Sequence, residues 1–105
     1  MTDLATRFNE DMRLVYQRAK SECGYNATRY LQMLAEKGGL ETARTLVRSP
    51  HISDGFETLW RYGRLDLTVE YLVIRPEYAS LFSESDIKLA RDRMTQTGFK
   101  ADSRS

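Results

Sequence analysis

Residues 65–74 read LDLTVEYLVI, and whether they form a strand or a helix decides the class of the fold. Leu65, Leu67, Val69 and Tyr71 alternate with Asp66, Thr68 and Glu70, as a half-buried strand would. A lone strand would leave its backbone N–H and C=O groups unpaired, and the chain offers no second strand candidate. The segment therefore reads as a helix capped by Asp66 and buried nearly all round through Leu67, Val69, Leu72 and Val73. With that reading the whole chain becomes all-α.

Downstream, Pro76 fits the first position of a short helix through Leu81. Ser83 then caps a last helix, with Asp86 completing an S-x-x-D pattern and Phe82 and Ile87 placed as a hydrophobic staple. Ile87, Ala90 and Met94 face inward and Gly98 ends the helix. Upstream, Asp54 and Glu57 form a capping box for a helix bearing Phe56, Leu59 and Trp60 and closed by Gly63. A helix over Leu40–Arg48 turns Leu40, Ala43, Leu46 and Val47 inward and stops at Ser49-Pro50, because the residue before proline is pushed out of the α region. Before it, Asn26 caps a helix carrying Tyr30, Leu31 and Leu34, with Tyr25 stapled on Tyr30 and Gly38-Gly39 as the stop. The first helix spans 2–22, with Thr2 as its cap, Phe8, Met12, Val15 and Ala19 along one face, and Gly24 as its end. The expected architecture is a compact array of six or seven short helices in a single domain, residues 1–98, with a flexible C-terminal tail at 99–105.

A chain of 105 residues is the size of one domain, and 41% apolar with 30% charged residues is ordinary globular composition. A net charge of +1 argues against a partner captured by bulk charge. Twelve of the 16 basic residues are Arg, whose planar fork suits phosphates, carboxylates and stacking. Cys23 is the only cysteine, so an intrachain disulfide is excluded. The start MTDLATRFNED lacks the basic and apolar regions of a secretory signal, and no stretch approaches a membrane span. A soluble cytoplasmic protein is expected.

The motifs of common chemistries are missing. One His and one Cys cannot furnish the ligand set of a structural zinc site. Gly38-Gly39 lacks the Lys-Ser/Thr that completes a phosphate-binding loop, so no metal and no cofactor is expected. Cys23 with His51 is the one nucleophile–base pairing available, and Cys23 reads as a small core thiol at a helix end. Asp66 and Glu70 lie four apart on one helical face, and with His51 they outline the site of a small enzyme. A helix-turn-helix reading of Leu40–Tyr62 fails on the length of SPHISD and on the poor base-reading set Glu57, Thr58 and Arg61.

Two surface constellations remain. Arg44 and Arg48 share a helix face, Arg61 and Arg64 bracket Gly63, and His51 lies in the loop between the pairs. If the flanking helices pack antiparallel, these five make an anion- or partner-binding surface. The aromatic set is also large for so small a core, and Tyr62, Tyr71 and Tyr78 are candidate interface residues, since Tyr and Trp anchor protein contacts.

In YNATRYLQML, GGLETARTLVRS and SDGFETLWRYGRLDLTVEYLVIRPEYASLF, ending in LARDRM, the chain resembles a family of small bacterial helical proteins of unknown function. The similarity spans roughly residues 8–94. Similar segments also occur as a C-terminal module of larger bacterial proteins, some nuclease-like. The resemblance implies an interaction module and assigns no activity to any residue. Taken with the surface residues, it leads to the expectation of a non-enzymatic helical module that binds a protein partner or itself. The alternatives are a nucleic-acid-associated accessory protein using the arginine surface, and the small carboxylate/His enzyme.

Overall fold

The computed structural model describes residues 3–50 and 53–96, and all of its regular structure there is helical. The chain runs through α1 (Leu4–Cys23), α2 (Thr28–Arg48), α3 (Asp54–Arg61), a 3-10 turn at Leu65–Leu67, α4 (Val69–Val73), a 3-10 helix at Pro76–Leu81 and α5 (Glu84–Gln96). The tail at 99–105, Gly98, His51 and Thr2 lie outside the described residues.

Helix α1 begins at Asp3, whose carboxylate accepts from the Ala5 amide at 3.0 Å. It ends where Gly24 turns left-handed at φ 69°, which lets the Gly24 and Tyr25 amides reach back to the Lys20 and Ala19 carbonyls. Helix α2 is two helical stretches meeting at Gly38, whose φ of 82° and ψ of 171° break the helix where the double glycine predicts a stop. The second stretch takes its cap from another element: Asn9 Oδ1 on α1 accepts from the Gly39 amide at 2.8 Å. There is no room for a side chain at Gly39, because a Cβ there would lie 2.8 Å from Asn9 Oδ1 and 3.0 Å from Asn9 Cα.

Residues 65–74 are helical, as the missing partner strand requires, but they are not one helix. Leu65–Leu67 winds as a tighter 3-10 turn and Thr68 starts α4, donating to the Leu65 carbonyl at 2.6 Å and accepting from the Tyr71 amide at 3.3 Å. The expected Asp66 cap is thus replaced by Thr68, because the turn carries Asp66 out of reach and toward Arg64, 3.1 Å away. The Asp54 cap moves one residue back in the same way: Ser53 Oγ accepts from the Phe56 amide at 3.1 Å, leaving Asp54 in the first turn. Asn26 does not cap α2 either, since its side chain accepts from the Tyr16 hydroxyl at 2.7 Å. Tyr25 and Tyr30 belong to different clusters. Tyr25 packs on Ala19, Leu59 and Leu67, while Tyr30 packs on the main core and donates to the Met12 carbonyl at 2.6 Å. The Ser83 cap forms as expected, accepting from the Asp86 amide at 3.1 Å.

The main core is built around α4, which buries Val69, Leu72 and Val73 among Phe8, Met12, Leu34, Ala43, Val47 and Ala90. Phe8 meets Tyr78 and Phe82 edge to face, with ring centres 5.0 and 5.2 Å apart. Two satellite clusters hold α3: Ala19, Leu59 and Leu67 on one side, and Phe56, Leu65 and Met94 on the other.

Candidate functional site

The four candidate arginines all stand in ion pairs. Arg44 donates to Glu41 at 2.7 Å and to the Leu81 carbonyl at 3.0 Å. Arg48 grips Asp86 with two bonds of 2.8 Å, and Arg61 reaches Glu57 at 2.8 Å along its own helix. Arg64 is held between Glu22 at 2.7 Å and Asp66 at 3.1 Å, which raises its pKa further above the ordinary arginine range. Each guanidinium therefore faces a carboxylate that a phosphate would have to displace. His51 lies outside the described residues.

The carboxylates of the enzyme reading go to different partners. Thr68 separates Asp66, part-exposed and bound to Arg64, from Glu70, which is 2% exposed and bound to Arg93 at 3.0 Å. Burial pushes the Glu70 carboxyl above its ordinary range, and Arg93 offsets this only in part. Arg93 also donates to the Leu46 and Ser49 carbonyls, so the pair ties α4 and α5 to the end of α2. Cys23 is half-buried beside Ala19, Leu59 and Leu67, the place of a core thiol. Among the described residues no group of three or more His, Cys, Asp or Glu is placed to hold a metal ion, and no helix is long and apolar enough to cross a membrane.

The aromatic candidates divide. Tyr78 is fully buried and its hydroxyl donates to Asp11, so it belongs to the core and is withdrawn as an interface residue. Tyr71 is half-buried against Phe56, Leu65 and Met94. Tyr62 is 59% exposed, and Trp60, which helical spacing grouped with the apolar stripe of α3, is 44% exposed. Phe56 and Leu59 fill the inner face of this eight-residue helix, so Trp60 projects outward, and Arg61 between the two aromatics has a side chain 75% exposed. At the end of α3, Trp60, Arg61 and Tyr62 are thus each exposed to solvent. The signal for this was present in the sequence, because Trp60 adjoins Leu59 and both cannot lie on the centre of one narrow helical face.

A second feature has no counterpart in the sequence reading. A cleft of about 430 Å³ is lined by residues of both stretches of α2 and of α1, α3 and α4. Its wall includes Val15 and Ala19 of α1, Leu46 of α2 and Phe56 and Leu59 of α3, with Glu70 of α4. Comparison with protein-family models, characterised proteins and solved structures finds no match.

Proposed function

We propose that the chain is a non-enzymatic, soluble cytoplasmic helical module that engages a protein partner, or a second copy of itself, through the end of α3. The observation that supports this reading is the exposure of Trp60, Arg61 and Tyr62 at consecutive positions. These are the three residue types most enriched among interface hot spots. Among the described residues the other large exposed hydrophobics, Leu14, Leu31 and Leu89, lie in other helices and are of the isolated kind that any surface carries.

Trp60 is the only tryptophan, so its emission reports on this patch alone. Light scattering and Trp60 emission, followed together over a concentration series, test the reading. A dimer or larger assembly that forms with a blue shift of the emission supports it, provided that Trp60→Ala with Tyr62→Ala returns the chain to a monomer. A monomer with unchanged emission, carrying nucleic acid that salt removes, overturns it in favour of the arginine surface.

A further inference from the structure

The cleft lined by α1, α2, α3 and α4 is open to solvent on one side, and its volume falls within the range of small-molecule sites. Its wall is apolar where Val15, Ala19, Leu46, Phe56, Leu59 and Val69 meet, and Tyr16, Tyr25 and Tyr30 add aromatic surface to that of Phe56. Filled with water, such a wall keeps apolar surface hydrated that a fitting apolar molecule would cover.

The polar groups of the wall narrow the chemistry of the ligand. The Tyr30 hydroxyl is bonded to the Met12 carbonyl, the Tyr16 hydroxyl to Asn26, and the Thr68 hydroxyl to the Leu65 carbonyl. Glu70 is bonded to Arg93. These four groups are satisfied within the chain and ask little hydrogen bonding of an occupant, while Tyr25, Thr45, Ser49 and Ser53 also bring hydroxyls to the wall. Charge points the same way. Among the described residues the one lining cation, Arg29, is exposed, as is Asp54, whereas the buried charge in the wall is the Glu70 carboxylate. An anionic ligand would find no buried cation free to neutralise it.

We propose that this cavity is a binding site for a neutral, mainly apolar aromatic small molecule, a function separate from the protein contact at the end of α3. Asp54, Gly55, Phe56 and Leu59 form its α3 wall, while Trp60 and Tyr62 are not among the residues that line it.

The test is a titration of the full chain with the neutral fluorophore N-phenyl-1-naphthylamine, repeated with the anionic 1-anilinonaphthalene-8-sulfonate. Saturation at one site is expected, with the neutral probe at least about tenfold tighter than the anion, a difference of about 1.4 kcal/mol. Ala19→Phe, which places a ring in the cavity, should weaken the neutral probe by at least about tenfold, whereas Trp60→Ala should leave it unchanged. A readout independent of any variant is the spectrum of chain labelled with 13C at the methionine methyls. Of the described methionines, Met12, Met33 and Met94, only Met33 is among the lining residues, and its methyl should move further on probe binding than those of the other two. Failure to saturate, an unmoved Met33 methyl, or an anion bound as tightly as the neutral probe would each overturn the assignment.

Discussion

Arg93 Nη1 lies 3.0 Å from Glu70 Oε2, and the same guanidinium donates to the carbonyls of Leu46 and Ser49. One side chain on α5 thereby neutralises a buried carboxylate on α4 and satisfies the end of α2. Removing either partner leaves a different deficit. Arg93→Ala strands a charge in the interior and also frees two carbonyls, so it should cost about 3–5 kcal/mol at pH 7 in urea unfolding. Replacing both residues by apolar side chains of similar volume should cost much less than Arg93→Ala alone. A double replacement as damaging as the single one would show that the carbonyl bonds, not the ion pair, dominate.

The same pair sets a pH dependence. Burial raises the folded-state pKa of Glu70 above the ordinary value of 4.5, so the folded chain holds that proton more tightly than the unfolded chain. This contribution is fully present below pH 4.5 and is lost as pH rises through the folded value. Wild type should therefore lose stability relative to Glu70→Gln as pH rises from 4.5 toward neutrality, measured by urea midpoints of the two chains. A difference independent of pH would contradict it.

Asp86 should behave in the opposite sense. Its pairing with Arg48, chiefly by hydrogen bonds, holds its carboxyl below the ordinary 3.8. The stability it contributes is present above pH 3.8 and is lost as pH falls through the folded value. Asp86→Asn is expected to be weaker than wild type at pH 7, with the deficit closing in strong acid. A deficit that persists there would assign it to packing instead.

Phe8 and Trp60 should differ sharply. Phe8 is fully buried between Tyr78 and Phe82, and Phe8→Ala should cost about 3–5 kcal/mol. Trp60 is 44% exposed, and Trp60→Ala should cost under about 1 kcal/mol. Chemical unfolding followed by circular dichroism measures both, and a large loss at Trp60 would mean that the ring is part of the core.

Gly39 and Asn9 form a contact that tolerates little change. Gly39→Ala drives a methyl into Asn9 side chain and backbone, and should cost about 1–3 kcal/mol although the backbone there is helical. Asn9→Ala should cost about 1 kcal/mol through the lost cap. In the Asn9→Ala background the Gly39→Ala penalty should shrink, because the Oδ1 atom nearest the new methyl is gone. Strictly additive costs would place the strain elsewhere.

What the sequence determined by itself is the helical class, most breaks between segments, and most of the inward residues, Leu31 and Trp60 being exposed instead. Gly24, Gly38 and Gly63 take positive φ where each segment turns, Pro76 opens its 3-10 helix, and Ser83 caps α5. Leu67, Val69, Leu72 and Val73 are all buried as their pattern implied. Such signals are legible because a cap, a proline or a left-handed glycine acts within one turn of chain. Tertiary structure decided the rest. Which of two polar neighbours caps a helix, Ser53 or Asp54, Thr68 or Asp66, turned on where the competing carboxylate found a partner or a turn. Arg48 met Asp86 across 38 residues, and Arg93 met Glu70 across 23. Tyr78 went inside and Trp60 outside, although both are aromatic residues within short helical segments. The cleft has no local signature, because its lining is drawn from α1, α2, α3 and α4 together. Burial and charge pairing depend on which elements face one another, and that is set by packing over the whole chain rather than by any one turn of it.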